Sequence, residues 1–186
     1  KGTGVYIVGR GDVAVIDPGP DNPEHIDAIL RAVDGETITH IFITHRHMDH
    51  SPGAEPLAAR TGAMVYGDKT PSKPSDCDTL RLEAADDHGF EPACGARDGE
   101  IFRGPNWTIE AVATPGHTVN HMSYALLEEN AFFPGDHIMG WSTSIIGPPD
   151  GDMSAYLASL AKVRDRDYDI LWPTHGPPVR AGRSEE

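Results

Sequence analysis

The sequence predicts a layered α/β fold for this chain of 186 residues. Short β-branched and aromatic runs, which are typical of buried strands, alternate with segments in which apolar residues recur at helical spacing. Five polar loops that follow such strands carry a histidine or an aspartate. A chain of this length can bury a substantial core. We therefore expect a sandwich of sheets and helices that brings these loops to one edge, where binding sites are found on such folds.

The first half of the chain predicts a β-hairpin, two helices and two further strands. Residues 5–8 and 13–16 form the arms of the hairpin, and the glycines between them favour a tight turn. Asn22 suits the cap of a helix and Pro23 suits its first position. The remaining elements are expected as a strand at 39–43, a helix at 54–60 ended by Gly62, and a strand at 63–66.

The second half predicts further strands and one helix, after a long irregular segment. That segment, about 67–99, is rich in Pro, Asp, Ser and Gly and is expected to be an insertion. The strands are expected at 100–102, 107–113, 122–127, 131–133 and 169–172. Asp152 suits the cap of a helix whose apolar stripe should pack on the core and consists of Tyr156, Leu157, Leu160 and Val163.

Composition narrows the range of partners. The formal net charge is −14, from 29 acidic and 15 basic residues, whereas a protein that grips nucleic acid through its phosphates usually shows the opposite balance. No apolar run approaches the roughly 20 residues that cross a bilayer, so we expect no membrane partner. No secretory leader is visible, which predicts a cytoplasmic protein. Cys77 and Cys94 could pair, but two free thiols are expected in that compartment.

The strongest local signal is the dense set of metal-binding side chains at 44–50, which reads Thr-His-Arg-His-Met-Asp-His. Packing does not require this density of histidine and aspartate. His45 and His47 project to the same side of an extended or tightly turned backbone, but on a helix they would lie about 200° apart. The segment therefore belongs to a loop at the end of a strand, where a rigid scaffold can direct several ligands to one point.

This loop, one earlier motif and three later motifs resemble the metallo-β-lactamase-fold hydrolases over essentially the whole chain. The shared motifs, in the family's order, are Asp-Pro-Gly at 17–19, the loop at 44–50, Thr-Pro-Gly-His-Thr at 114–118, Gly-Asp at 135–136 and Thr-His-Gly at 174–176. The resemblance implies a four-layer αββα sandwich and a single domain over residues 1–186. It also implies no β-lactamase activity, because the subclasses that destroy these antibiotics replace the aspartate that stands here as Asp136.

Two branches of the family are most similar to this sequence. Residues 114–121 resemble glyoxalase II, a thioesterase. The β-lactamase-like protein 2 branch is similar at 121–123, 128–140, 159–160 and 175–177. That branch includes an animal endoribonuclease and usually continues into a helical tail. The tail is expected to be absent here, because the sequence ends soon after the last motif.

The resemblance also implies a ligand set for two metal ions. The first ion is held by His45, His47 and His117, and the second by Asp49, His50 and His175. Asp136 bridges the two ions. Asp17 is expected to support the ligands without binding metal itself. Nitrogen and carboxylate ligands suit zinc, with iron or manganese as alternatives. Two cations on one water lower its pKa toward neutrality, so a bridging hydroxide is available at pH 7.

The resulting hypothesis is a dinuclear metal-dependent hydrolase that acts on a small ester or thioester. Asp49 is expected to orient the nucleophile as well as to bind metal. His121 is expected either to contact substrate or donate a proton, or to be a hydrogen-bonded histidine at the start of a strand. The alternatives are a phosphodiesterase or endoribonuclease for single-stranded RNA, which the net charge disfavours, and a non-hydrolytic di-metal protein. No obligate protein partner is evident.

Overall fold

The amino-terminal half of the chain forms a sheet of five strands in the computed structural model, which describes residues 2–73, 86–87 and 89–180. Strands β1 (Tyr6–Arg10) and β2 (Asp12–Ile16) make the expected antiparallel hairpin. Strands β3 (Thr37–Phe42), β4 (Met64–Gly67) and β5 (Cys94–Gly95) then add in parallel, in the order β1-β2-β3-β4-β5.

The prediction of an irregular segment over 67–99 is wrong at its end, where β5 pairs with β4. A strand of two residues is too short to show a hydrophobic period, so no pattern in the sequence predicts it. Cys94 on this strand is a free thiol. Cys77, its only candidate partner in the sequence, lies outside the described residues.

A second sheet contains six strands in the described part of the chain, in the order β11-β10-β9-β8-β7-β6. The strands are β6 (Ile101–Arg103), β7 (Thr108–Ala113), β8 (Met122–Leu126), β9 (Ala131–Phe133), β10 (Ile170–Leu171) and β11 (Val179–Arg180). Neighbours pair antiparallel except for β9 and β10, which are parallel. Strand β11 was not predicted, again because two residues show no period.

Three helices begin close to where the sequence predicted them. In α1 (Pro23–Ala32), the side chain of Asn22 accepts hydrogen bonds from the first backbone N–H groups. Helix α2 (Ala54–Thr61) ends at Gly62, whose left-handed backbone (φ 75°) a glycine adopts without strain. Helix α3 (Met153–Arg164) is capped by the Asp152 carboxylate. No helix in the described residues is long and apolar enough to cross a membrane.

Three hydrophobic clusters define four layers, because alternate residues of one strand contribute to different clusters. Ile16, Phe42, Trp107 and Tyr124 belong to a cluster that lies between the two sheets. A second cluster joins the outer face of the first sheet to α1 and α2, and a third joins the outer face of the second sheet to α3 through Val163. The αββα sandwich is confirmed.

The predicted apolar stripe of α3 is wrong in one member, Leu157, which is 57% exposed. The buried residues of this helix are Ser159 and Val163. Ser159 Oγ donates a hydrogen bond of 2.8 Å to the carbonyl of Pro115 and so fixes which face turns inward. Leu157 precedes Ser159 by two residues and therefore points about 200° away from it.

The strand directions bring the motif loops to one edge. Strands β2 and β3 are parallel, and Asp17 and the loop at 44–50 follow their carboxyl ends. Strands β7, β9 and β10 also share one direction, because two antiparallel pairings separate β7 from β9. The later motif loops follow these three strands, and contacts between the two sets of loops confirm the predicted edge.

Candidate metal centre

The first group of candidate ligands lies deepest, and we call it the three-histidine group. His45, His47, His117 and Asp136 each offer one ligand atom, and these atoms all lie within 4.8 Å of one another. His45 Nε2 lies 2.8 Å from His47 Nδ1, and His117 Nε2 lies 3.2 Å from the same atom. Ligands about 2.1 Å from one tetrahedral zinc ion stand about 3.4 Å apart. The group therefore has the right size to hold one ion.

The second group, which we call the mixed group, consists of Asp49, His50 and His175. Asp49 Oδ2 lies 3.2 Å from His175 Nε2 and 3.5 Å from His50 Nε2. Asp136 contacts both groups: its Oδ1 lies 3.4 Å from each of the two imidazoles here, and its Oδ2 lies 3.7 Å from His117 Nε2. The two oxygens of one buried carboxylate thus face different ligand groups.

Several buried polar atoms at this place lack hydrogen-bond partners among the described residues. They include Oδ1 of Asp49, Nε2 of His50 and Oδ1 of Asp136. An unpaired buried polar atom costs free energy, and most such atoms in native proteins have a partner. All three are ligand atoms for divalent cations, so metal ions would give them the partners that they lack. The donor set fits a two-metal centre.

Burial sets the protonation of the three-histidine group. It lowers the pKa of His45 well below its ordinary value, lowers that of His47 to about 3 and also lowers that of His117. These imidazoles are therefore neutral at pH 7 and can donate a lone pair to a metal ion.

The mixed group has the opposite electrostatics. Burial alone would lower the pKa of His50, but the carboxylates of Asp136 and Asp17 outweigh it and raise that pKa well above the ordinary value. Contacts with the carboxylates of Asp136 and Asp49 raise the pKa of His175 to about 9. Without a metal ion, both imidazoles are therefore in the protonated, positively charged form at pH 7.

Asp17 stabilises the loop at 44–50 through hydrogen bonds to Thr44 and His50. Its fully buried carboxylate accepts hydrogen bonds from the backbone N–H of Thr44 (2.8 Å) and from the Thr44 hydroxyl (2.7 Å). It also lies 2.9 Å from His50 Nδ1, which leaves Nε2 of that ring directed toward the candidate metal position. Asp17 itself has a left-handed backbone (φ 50°), a strained conformation that these contacts stabilise.

A model of the family described as the metallo-beta-lactamase superfamily matches residues 2–175. The chain belongs to this superfamily. The identification agrees with the motif order in the sequence and with the αββα sandwich described above.

Individual relatives carry different names. Atrochrysone carboxyl ACP thioesterase AgnL7 of Paecilomyces divaricatus is 32% identical over 182 residues, which cover 96% of this chain and 52% of that protein. A beta-lactamase-like protein 2 homolog of Caenorhabditis elegans is 33% identical over 183 residues, covering 96% of this chain and 57% of that protein. This chain thus spans about half the length of these curated relatives. The predicted likeness to β-lactamase-like protein 2 is confirmed.

A solved structure supports the fold and bears on the metal. The crystal structure of TTHA1623 in a di-iron-bound form superposes with a TM-score of 0.76 and 25% identity. The match covers 98% of this chain and 91% of that one. TTHA1623 has been observed with iron, so the fold alone does not determine which metal is bound.

The loop at 139–150 also supports this metallo-β-lactamase-fold site, and no motif predicted it. The backbone carbonyl of Ile145 lies 2.6 Å from His117 Nδ1, which fixes that ring with Nε2 toward the three-histidine group. Ser144 Oγ donates a hydrogen bond of 2.6 Å to the carbonyl of Asp136. The N–H of Gly140 donates to the carbonyl of His175 at 2.8 Å. One loop therefore contacts residues of both groups.

The sequence motifs also did not predict several residues that hydrogen-bond to the loop at 44–50. Thr3 Oγ1 donates a 2.8 Å hydrogen bond to Asp49 Oδ2. The Asp87 N–H donates to the carbonyl of Arg46 at 2.6 Å, and Ser51 Oγ donates to the Asp87 carboxylate at 3.1 Å. These partners lie 36 to 46 residues apart in the chain, so no local pattern signals them.

His121 is buried beside the site and not exposed in its opening, since only 1% of the residue is accessible. Its Nδ1 lies 2.9 Å from Thr114 Oγ1, and its Nε2 accepts a hydrogen bond of 3.2 Å from the Asp136 N–H. Strand β8 begins at the next residue. This arrangement matches the alternative expectation of a hydrogen-bonded histidine at a strand start, while the direct catalytic role of His121 stays a prediction.

Proposed function

We propose that this chain is a dinuclear metal-dependent hydrolase that acts on a small ester or thioester. The observation that carries the proposal is the position of Asp136, whose two carboxylate oxygens face two separate ligand groups. A carboxylate in this position can bridge two cations. The unpartnered buried ligand atoms described above support the same reading.

The three-histidine group would hold one ion and the mixed group the other, with Asp136 shared. We propose zinc, because imidazole with carboxylate suits it, and keep iron and manganese as alternatives that the same ligands accept. Two bound cations supply a water of lowered pKa and a Lewis acid for the substrate oxygen.

The chain's own residues then determine how substrate and water are placed. Asp49 Oδ1 has no hydrogen-bond partner among the described residues and can accept one from the attacking water. The side chains of Asp49 and His175 in the mixed group are 33% and 17% exposed, whereas those of His45 and His117 in the three-histidine group are 0% and 6% exposed. Substrate therefore approaches from the side of the mixed group.

The proposed substrate class rests on similarity and on charge. A relative that is 32% identical is named atrochrysone carboxyl ACP thioesterase. The net charge of −14 opposes RNA, which the first alternative would require. The single-domain extent over 1–186 and the cytoplasmic location stay predictions.

A substrate panel with metal analysis tests the proposal. The purified chain, loaded with zinc, would be assayed on coenzyme A and glutathione thioesters and on single-stranded RNA. We expect two ions per chain and thioester turnover that Asp49→Asn abolishes. Asp27→Asn is the matched control, because it makes the same chemical change at an exposed ion pair with Arg60.

Two outcomes would overturn the assignment in different ways. RNA cleavage that Asp49→Asn abolishes, without thioester turnover, would make the chain a phosphodiesterase. Tightly bound iron without hydrolysis of any substrate would favour the non-hydrolytic alternative.

A further inference from the structure

We propose that His121 is a positioning residue whose neutral imidazole holds the backbone of Asp136, and so directs that carboxylate between the two ligand groups. The inference rests on the proposed function, because it assumes that Asp136 serves both groups. It differs from the predicted catalytic role, since it places no ring nitrogen of His121 on substrate.

The hydrogen-bond chain through His121 allows only one arrangement of protons. The backbone nitrogen of Asp136 can only donate, so the Nε2 atom that it contacts at 3.2 Å must be the acceptor. Nδ1 of the neutral ring then carries the proton and donates it to Thr114 Oγ1 at 2.9 Å. The Thr114 hydroxyl donates in turn to Ser123 Oγ at 2.7 Å, which donates to the carbonyl of Pro134 at 3.3 Å.

This series of hydrogen bonds begins and ends on the turn that carries Asp136. It begins at the Asp136 N–H and ends at Pro134, two residues earlier, so His121 ties both sides of Gly135 to the buried end of β8. Thr114 lies in the loop that carries His117, another proposed ligand. One ring therefore couples the placement of a ligand in the three-histidine group to that of the shared carboxylate.

Packing leaves the ring little freedom. Its plane stacks on His45, with 5.1 Å between ring centroids and 29° between planes. Gly135 has a left-handed backbone (φ 56°), and a Cβ there would lie 2.8 Å from His121 Nε2 and 2.8 Å from Thr44 Cβ. The turn can form against the imidazole only because residue 135 has no side chain.

These contacts also argue against proton transfer by His121 during catalysis. Both ring nitrogens are engaged by protein groups, and the residue is almost completely buried. A general acid or base must come within hydrogen-bond reach of the reacting group, directly or through one water. The geometry therefore assigns His121 an indirect role.

Three substitutions separate the acceptor role of Nε2 from the donor role of Nδ1. His121→Gln places an amide oxygen near the position of Nε2 and can still accept from the Asp136 N–H. His121→Asn reaches only the position of Nδ1, so it leaves that buried N–H unpaired. Thr114→Val removes the acceptor for Nδ1–H without changing the histidine.

The primary measurement is zinc stoichiometry and affinity, which needs no substrate. Loss of a group that orients a metal ligand typically weakens metal binding 10- to 100-fold. We expect a loss of about this size for His121→Asn, and smaller losses for Thr114→Val and His121→Gln, because each of these two breaks only the contact at Nδ1. Circular dichroism and thermal unfolding verify that each variant folds.

The pH profile of hydrolysis provides the second readout. A positioning role predicts that His121→Gln keeps both limbs of the profile, whereas loss of one limb in both histidine variants would identify a proton-transfer residue and overturn the inference. Unchanged zinc binding by a folded His121→Asn protein would also overturn it. If the unchanged protein bound two zinc ions without hydrolysing any substrate, the proposed function would fail, and the zinc-binding comparison would still test His121.

Discussion

The two ligand groups of this site offer a metal ion different starting conditions. In the three-histidine group, burial keeps the imidazoles neutral, with the pKa of His47 lowered to about 3. In the mixed group, carboxylates hold protons on the imidazoles and raise the pKa of His175 to about 9. Both groups face the same carboxylate, that of Asp136.

Two groups of similar ligands need not bind a metal ion equally well. A cation entering the three-histidine group displaces no proton from an imidazole. A cation entering the mixed group must replace the protons on His50 and His175, so its binding free energy depends on pH. We therefore expect the two sites to fill in order, with the three-histidine group first.

The largest expected effect follows removal of the shared charge. Asp136→Asn keeps the shape of the side chain but removes an anion that faces both groups. We expect zinc affinity at both sites to fall by more than about 100-fold, beyond the usual range for a residue that acts only through a ligand. Competition with a chromophoric chelator measures both affinities. A variant that kept either site at full affinity would show that Asp136 serves only one group.

Single histidine substitutions sharpen the contrast between the groups. His175→Ala should remove the weaker ion and leave about one zinc ion per chain. His47→Ala should weaken the tighter ion, because it removes one of three neutral imidazoles. Metal analysis after dialysis distinguishes the two patterns. Equal losses from both variants would mean that the sites fill together.

The stability of the metal-free protein should fall on both sides of neutrality, for different reasons. Because the pKa of His175 in the folded chain is raised to about 9, its stabilisation is complete below pH 6.5 and is lost as pH rises through about 9. The histidines of the three-histidine group have lowered pKa values in the folded chain. The unfolded chain therefore binds more protons at these histidines, and stability falls as pH drops below 6.5.

Thermal unfolding of metal-free protein from pH 5 to 9 measures both slopes. His175→Ala should flatten only the alkaline slope, and His47→Ala should flatten only the acid slope. Loss of the same slope in both variants would contradict the assignment of protons to the mixed group.

The smallest expected effects come from residues outside the two ligand groups whose side chains support the ligand loops through hydrogen bonds. Ser144→Ala removes a hydrogen bond to the carbonyl of Asp136, and Ser51→Ala removes one to Asp87. Each should lower the free energy of unfolding by about 0.5–1.5 kcal/mol. Arg60→Ala, which breaks an exposed ion pair with Asp27, should cost about 0–1 kcal/mol and serves as the control.

The sequence predicted the parts of the fold and site that depend on local pattern. The loop at 44–50 could be identified as a metal loop because its ligands lie side by side in the chain. The cap at Asn22 and the hairpin before it depend on neighbouring residues as well, and both are confirmed.

The rest depends on contacts between distant residues. Nothing near Thr3 indicates that its hydroxyl contacts Asp49, 46 residues later. The sequence placed His121 close to the site but gave no information on its ring nitrogens, because their partners, Thr114 and Asp136, meet only in the folded chain.

A stepwise zinc titration of the metal-free chain at pH 6 and pH 8 tests the difference between the two ligand groups, with proton release measured by calorimetry in buffers of different ionisation enthalpy. We expect two resolved steps, of which the second becomes much tighter at pH 8 and releases more protons than the first. Two equivalents that bind with the same affinity and the same pH dependence would rule out this difference between the groups, and a chain that binds only one ion would rule out the second site.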